Sequence, residues 1–255
     1  MFAFLDHPHP IPLAHRGGAG DWPENTMPAF EGAVALGYRY VETDVHLTRD
    51  GVLIAFHDDR LDRVTDRTGV IREMTWADVS TARVDGREPI PRFDELLAAW
   101  PDLRINIDPK DDDSVEPLAA AISAAGAIDR VCIGAFSDRR IAKMRALLGR
   151  RLCTSLGPKG IARLVAASRG AWTPRFAEGA AQVPMSHKGI TIVTPKFVET
   201  AHRLGLAVHV WTIDDPAEMR RLLDIGVDGL MTDRPEILKD VLVDRDQWIE
   251  GPHPR

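Results

Sequence analysis

The sequence has few of the residues that mark several large protein classes. Only 2 of its 255 residues are cysteines. Cys132 and Cys153 both lie in apolar runs, so we expect two small buried side chains rather than a disulfide framework or a metal site. The 20 glycines and 18 prolines follow no repeat. This composition excludes collagen, coiled coils and disulfide-stapled mini-proteins.

Basic residues are in the minority, with 32 Lys and Arg against 38 Asp and Glu and a formal net charge of -6. We therefore expect no nucleic-acid partner, and an anionic ligand would need a local cation. No apolar stretch approaches the roughly 18 residues of a membrane span, so no stable membrane insertion is expected. The first residues lack the basic and apolar regions of a secretory signal, which predicts a cytoplasmic protein. The oligomeric state stays open.

Short apolar segments alternate with amphipathic ones, as in parallel strands joined by helices. The candidate strands are residues 11–14, 40–47, 52–56, 103–108, 131–136, 152–155, 181–184, 207–211 and 229–232. Segment 52–56 follows its neighbour too closely for a parallel crossover and suits a hairpin. The other eight predict a (β/α)8 TIM barrel, one domain over residues 1–255. A small insertion after the second-strand hairpin, at about residues 58–92, would lie on the rim.

The hairpin predicts which side chains meet. With a two-residue turn at Arg49 and Asp50, Glu42 faces His57 and Asp44 faces Ala55. Strand side chains alternate between faces, so these four would share one side. The pattern therefore places two carboxylates and a histidine together, although a slip of one residue would separate them.

Polar residues also end other strands, at the carboxyl face where barrel enzymes place their active sites. His15 and Arg16 run into a glycine-rich turn, where an arginine could grip phosphate or simply lie at the surface. Asp108 and Lys110 end the strand at 103–108. Glu42, Asp44 and Asp108 make an all-oxygen set that suits Mg²⁺, Ca²⁺ or Mn²⁺ and argues against zinc.

Two further positions have simpler interpretations. Trp211 ends the strand at 207–211 and could line a substrate pocket or only pack. Asp233 precedes Arg-Pro-Glu and is most simply the cap of the last helix. Thr26 and Asp215 are likewise helix-start signals, each shortly before a proline.

The motifs together resemble one known family. In order they are His15-Arg16-Gly17, Pro23-Glu24-Asn25-Thr26, residues 42–51, Phe56-His57-Asp58, residues 106–110, Val210-Trp211-Thr212 and residues 228–233. This series is similar to the glycerophosphodiester phosphodiesterase family over about residues 11–240. The resemblance implies a (β/α)8 barrel with a small insertion after the second strand.

The resemblance also implies roles for residues. Glu42, Asp44 and Asp108 would bind a divalent cation, although many members carry Glu at the last position. His15 and His57 would be the acid–base pair, and Arg16 and Lys110 would contact phosphate. The implied activity is metal-dependent hydrolysis of a small-molecule glycerophosphodiester to glycerol 3-phosphate and an alcohol.

Three other functions are compatible with the sequence. The same chemistry could act on lysophospholipids as a lysophospholipase D. A catalytically inactive ligand-binding barrel is less well supported, because both histidines and all three acids are present. A sugar-phosphate isomerase barrel ranks lower, since it needs no three inward-facing acids.

Overall fold

The computed structural model describes residues 2–250. Its main sheet contains eight parallel strands, β1 (Ile11–Ala14), β2 (Tyr40–Leu47), β3 (Arg104–Pro109), β4 (Val131–Ile133), β5 (Cys153–Thr154), β6 (Ala180–Pro184), β7 (Ala207–Trp211) and β8 (Gly229–Thr232). They are hydrogen-bonded in the order β5-β4-β3-β2-β1-β8-β7-β6. A parallel bridge between Ser155 and Ala180 joins the two ends of this order. The strands therefore form a nearly closed barrel, as predicted.

Helices on the outside connect the strands. They comprise Met27–Ala35, Trp76–Val79, Phe93–Ala99, Val115–Ala124, Asp138–Leu148, Pro158–Ser168, Pro195–Arg203, Pro216–Asp224 and Pro235–Val243. Two predicted helix starts are confirmed. Thr26 accepts a hydrogen bond from the Ala29 N–H, and Asp215 accepts one from the Glu218 N–H. No helix within residues 2–250 has the length and apolarity needed to cross a bilayer.

The hairpin forms, but its predicted register is wrong by one residue. Strand Leu53–Ala55 runs antiparallel to β2 and pairs Ala55 with Val45 instead of Asp44. The turn contains three residues because Gly51 adopts a left-handed conformation, with φ of 85°. Such a turn fits a right-handed hairpin twist and shifts all later pairs by one.

The segment from residue 58 to residue 92 packs onto this hairpin strand. It contains short paired strands at Arg83–Val84 and Glu88–Pro89 and a one-turn helix at Trp76–Val79. Its apolar side chains form a small core with Ile54 and Phe56. The segment therefore has a separate set of buried contacts beside the second strand.

The inside of the barrel changes from apolar to polar along its axis. At the amino ends of the strands a buried cluster includes Leu13, Tyr40, Cys132 and Cys153. Phe4, from the short 3-10 turn Ala3–Leu5, joins that cluster and is 1% exposed. Its ring lies 5.3 Å from that of Tyr40, edge to face. The amino-terminal turn therefore closes this end of the barrel, and the polar residues lie at the other.

We expect Phe4→Ala to lower the free energy of unfolding by about 3–5 kcal/mol, because truncating a buried phenylalanine leaves a cavity. Urea unfolding followed by circular dichroism measures the change. Trp172→Ala is the control, since Trp172 is 52% exposed and its loss should cost far less. Equal losses for the two variants would contradict the closing role of Phe4.

Candidate active site

The first strand brings His15 and Arg16 to the carboxyl end of the barrel. The chain turns there with φ of 51° at Arg16 and 84° at Gly17. A Cβ on residue 17 would lie 2.8 Å from the Cβ of Ala29 and 2.9 Å from its carbonyl carbon. Glycine is therefore required at this close approach. The turn brings the Arg16 N–H to 3.1 Å from Glu42 Oε2.

The second and third strands place acidic side chains next to each other. Their parallel register pairs Glu42 with Asn106 and Asp44 with Asp108. Because strand side chains alternate, all four point into the barrel. Glu42 is 5% exposed and Asp44 is 2% exposed. Buried carboxylates this close together need positive charge nearby.

Lys110 supplies part of that charge. Its Nζ lies 2.7 Å from Asp44 Oδ1 and 2.7 Å from Asp108 Oδ2. Burial would raise the pKa of Asp44, but the charges of Lys110 and Arg16 bring it below its ordinary value. Burial keeps the pKa of Asp108 raised in spite of Lys110. Burial and the charge of Asp44 raise the pKa of Glu42 to about 7. The neighbouring cations therefore stabilise the ionised form of Asp44 but do not fully offset the burial of Glu42 and Asp108.

His15 lies between two carboxylates. Its Nδ1 is 2.7 Å from Asp233 Oδ1, and its Nε2 is 3.8 Å from Glu42 Oε2. Burial opposes protonation of the ring, but the charge of Glu42 and the hydrogen bond to Asp233 raise its pKa above the ordinary value. The Asp233 contact fixes the ring orientation and leaves Nε2 toward the acid cluster.

His57 directly follows Phe56, whose N–H donates to the Asp44 carbonyl oxygen at 3.0 Å. The shifted register contradicts the predicted pairing of Glu42 with His57. His57 can still point toward the mouth because strand Leu53–Ala55 ends before it. Beyond the end of the strand, side chains no longer have to alternate between the two faces. Its Nδ1 is 2.6 Å from Asp58 Oδ1. After Lys110 and Arg16, its charge also helps to lower the pKa of Asp44.

Aromatic side chains occupy the opposite half of the mouth. Trp211 at the end of β7 packs edge to face against Phe136, with ring centroids 5.7 Å apart. Phe136 follows β4 and is 68% exposed. The charged residues come from β1, β2, β3 and the end of β8. The mouth therefore has a charged half and an aromatic half.

A neutral polar layer separates the charged mouth from the apolar end. Gln182 Nε2 donates to Asn106 Oδ1 at 2.8 Å and lies 3.3 Å from His209 Nδ1. Burial lowers the pKa of His209 to about 4, so this ring is uncharged at neutral pH. A Cβ at Gly134 would come within 2.7 Å of Gln182 Oε1, which explains the glycine there.

The acidic residues contain the donors for a hard cation, but their arrangement also includes an ammonium. Asp108 Oδ1 is buried without a hydrogen-bond partner. Oxygen donors of this kind suit Mg²⁺ or Ca²⁺. Between residues 2 and 250, no group of three or more His, Cys, Asp or Glu side chains is in position to hold a metal ion. Lys110 instead bridges Asp44 and Asp108.

Sequence reasoning gave Asp233 the wrong local role. It was expected to cap the last helix, but the N-cap position of Pro235–Val243 is Arg234, which makes no side-chain cap. Asp233 binds His15 instead, across 218 positions in the chain. Its place immediately after a barrel strand was the signal that could have indicated a role at the mouth.

Two neighbours in the loop after β1 were also underestimated. Asn25 received no separate role in the sequence analysis, yet its Nδ2 donates to Asp44 Oδ2 at 3.1 Å. Thr43 in turn donates to Asn25 Oδ1 at 2.8 Å. Glu24 accepts a hydrogen bond from Arg16 Nη1 at 3.0 Å. The loop therefore supports both Asp44 and Arg16.

Comparisons with known proteins agree with this architecture. A Mycobacterium tuberculosis protein named probable glycerophosphodiester phosphodiesterase 2 is 39% identical over 251 residues, covering 96% of this chain and 95% of the relative. The crystal structure of a Silicibacter pomeroyi protein matches with a TM-score of 0.80 and 25% identity, covering 96% of this chain and 98% of that one.

An Oleispira antarctica phosphodiesterase, solved in complex with the product sn-glycerol-3-phosphate, has a TM-score of 0.77 and 22% identity. The match covers 92% of this chain and 97% of that one, and at this identity it shows the fold alone. The model of the glycerophosphoryl diester phosphodiesterase family matches residues 15–237. This chain therefore belongs to the glycerophosphoryl diester phosphodiesterase family of enzymes.

Proposed function

We propose that this protein hydrolyses glycerophosphodiesters to glycerol 3-phosphate and an alcohol, using a divalent cation and two histidines. One observation carries the proposal. Three neighbouring carboxylates lie at the barrel mouth, the buried Glu42 and Asp44 and the partly buried Asp108, with His15 Nε2 3.8 Å from Glu42 Oε2. His57 directly follows Phe56, whose N–H donates to the Asp44 carbonyl oxygen at 3.0 Å. Family membership supports the reaction class.

Arg16 and Lys110 bind the phosphate in this proposal. The Arg16 guanidinium carries N–H donors that match phosphate oxygens, and Lys110 adds a point charge. Both cations already face Asp44, with Arg16 Nε at 3.3 Å and Lys110 Nζ at 2.7 Å. They can stabilise the negative charge that builds on the phosphoryl oxygens.

The residues fit a divalent cation by their donor chemistry. Glu42, Asp44 and Asp108 would hold it, and the unpartnered Asp108 Oδ1 provides a free oxygen. A bound Mg²⁺ or Ca²⁺ would polarise the phosphoryl oxygens as a Lewis acid. Lys110 neutralises the same acids, so binding of the ion competes with the Lys110 contacts. The raised pKa values of Glu42 and Asp108, caused first by burial, are consistent with a site that a bound cation would stabilise.

The two histidines exchange protons in opposite directions. Each binds a carboxylate through Nδ1, His15 with Asp233 and His57 with Asp58, so each Nε2 is the atom that can transfer a proton. His15 takes the proton of the nucleophile as the new O–P bond forms. His57 protonates the alcohol oxygen as its P–O bond breaks. Imidazole suits both steps because its pKa lies near neutrality.

Two nucleophiles are compatible with this scheme. Attack by water gives glycerol 3-phosphate directly. Attack by a hydroxyl of the substrate's own glycerol gives a cyclic phosphate, which water then opens. Proton transfer to His15 and from His57 serves either route.

Lysophospholipids form a second substrate class, favoured by exposed apolar side chains near the mouth. Phe136 is 68% exposed, Ile190 53% and Met185 37%, all in segments that follow barrel strands. An acyl chain could cover such a surface. In that case Phe136→Ala would raise KM about tenfold for lysophosphatidylcholine and leave glycerophosphocholine unchanged. Equal KM changes for both substrates would contradict a preference for lysophospholipids.

Chelation should abolish the hydrolysis of glycerophosphocholine. We expect EDTA to lower kcat by at least about a hundredfold. The loss of Lewis-acid stabilisation raises the activation free energy by several kcal/mol. Choline release measures the rate, and added Mg²⁺ or Ca²⁺ should restore it. Unchanged turnover after exhaustive chelation would refute the metal requirement.

Each proposed catalytic histidine should be needed for turnover. We expect His15→Ala and His57→Ala to lower kcat on glycerophosphocholine by about a hundredfold or more. His202→Ala is the matched control, because His202 also pairs with a carboxylate, Asp228 Oδ2 at 2.7 Å, but is 43% exposed in its side chain and lies away from the mouth.

The p-nitrophenyl ester of glycerol 3-phosphate separates the two roles. Nitrophenolate leaves without protonation, so His57→Ala should recover most of its kcat on this ester while His15→Ala should not. The reverse result would exchange the acid and the base. Near-normal turnover of either variant on glycerophosphocholine would remove that residue from the mechanism.

A further inference from the structure

Arg63, in the segment between residues 58 and 92, makes ion pairs with two acids from different parts of the chain. Its Nε lies 2.6 Å from Asp58 Oδ2, and its Nη2 lies 3.0 Å from Asp58 Oδ1. The same guanidinium donates to Glu24 Oε2 at 2.9 Å and to Glu24 Oε1 at 2.7 Å. Arg63 therefore binds both carboxylates through two donors each.

Each of these acids supports a different residue of the proposed site. Asp58 Oδ1 also lies 2.6 Å from His57 Nδ1. Glu24 Oε1 accepts from Arg16 Nη1 at 3.0 Å. An unbroken series of contacts thus runs from His57 through Asp58, Arg63 and Glu24 to Arg16.

Arg63 also keeps both acids ionised. Its hydrogen bond is the main cause that lowers the pKa of Asp58 to about 2. Burial would raise the pKa of Glu24, but hydrogen bonding to Arg63 and the charge of Arg16 lower it. Ionised carboxylates are the strongest acceptors for an imidazole N–H and a guanidinium.

The pairs of Arg63 are a poor source of global stability. Its side chain is 47% exposed, and exposed ion pairs contribute little to the free energy of unfolding. Two other exposed arginines of the same region pair with acids only two positions away, Arg60 with Asp62 and Arg92 with Asp94. Arg63 instead reaches Glu24 across 39 positions. The geometry suits the positioning of distant groups.

We propose that Arg63 is a positioning residue, which fixes the orientation of His57 through Asp58 and that of Arg16 through Glu24. The inference rests on the proposed roles of His57 and Arg16. It makes the segment between residues 58 and 92 part of the machinery for hydrolysis, although Arg63 itself does not touch the phosphate. A lysine cannot replace it, since one ammonium lacks the planar donors for two carboxylates.

The test compares Arg63→Ala and Arg63→Lys with Arg60→Ala, an exposed arginine of the same segment paired only nearby. On glycerophosphocholine we expect both Arg63 variants to lower kcat by about 10- to 100-fold, because misplaced catalytic groups cost rates of this order. KM should also rise several-fold through Arg16. Arg60→Ala should stay within about twofold of the unchanged protein.

Two variants that each remove one of the carboxylates bound by Arg63, together with a second substrate, separate the effect on kcat from the effect on KM. Asp58→Asn should lower mainly kcat, and Glu24→Gln should raise mainly KM. On the p-nitrophenyl ester the kcat loss of Arg63→Ala should largely disappear while the KM rise remains, since only proton donation by His57 is bypassed. Melting temperatures should change little, as expected for an exposed ion pair.

The outcomes separate this inference from the proposed function. If His57→Ala is impaired and Arg63→Ala is not, the positioning role is wrong and the proposed function stands. Equal losses on both substrates, with a lower melting temperature, would show a structural role and overturn the inference. Near-normal turnover of His57→Ala would refute the proposed role of His57, and with it the kcat arm of the positioning role.

Discussion

The repulsion among buried carboxylates is the constraint on which the rest of the site depends. Glu42 and Asp44 lie two residues apart on one face of β2, and the register of β3 adds Asp108 beside Asp44. Ionised acids in such a place are costly unless cations surround them. Lys110, Arg16 and His15 all lie at this cluster, and the pKa of Glu42 is still about 7. Under the proposed function, a bound divalent cation would offset the repulsion that remains.

The barrel makes this charged arrangement possible by separating it from the apolar interior. Phe4 and Tyr40 close one end, and Asn106, Gln182 and His209 form an uncharged hydrogen-bonded layer above them. A charged side chain in the apolar layer would lose its solvation without compensation. At the carboxyl ends of the strands, charges can be both buried from one side and paired from the other. This gradient explains why the acids, cations and imidazoles of the candidate site lie at the carboxyl ends of the strands.

The sequence predicted the local elements well because their causes are local. Short apolar segments between amphipathic ones predicted the eight barrel strands, and the caps Thr26 and Asp215 marked helix starts. The hairpin register failed because Gly51 permits a three-residue turn, a conformational choice that composition alone does not decide. His57 is still close to Asp44 along the hairpin because the strand ends at Ala55. The predicted pairing was therefore wrong, although the predicted proximity to Asp44 was not.

Contacts between distant segments were beyond sequence reasoning for a physical reason. Asp233 looks like a helix cap to its neighbours, and only closure of the barrel places it against His15. Arg63 lies in a polar segment without clear periodicity, and nothing local distinguishes it from Arg60. Its two carboxylates come together only when the loop after β1 and the segment after the hairpin pack side by side. Candidate ligand-binding residues can thus be predicted from strand ends, whereas the contacts that orient them depend on how the loops pack.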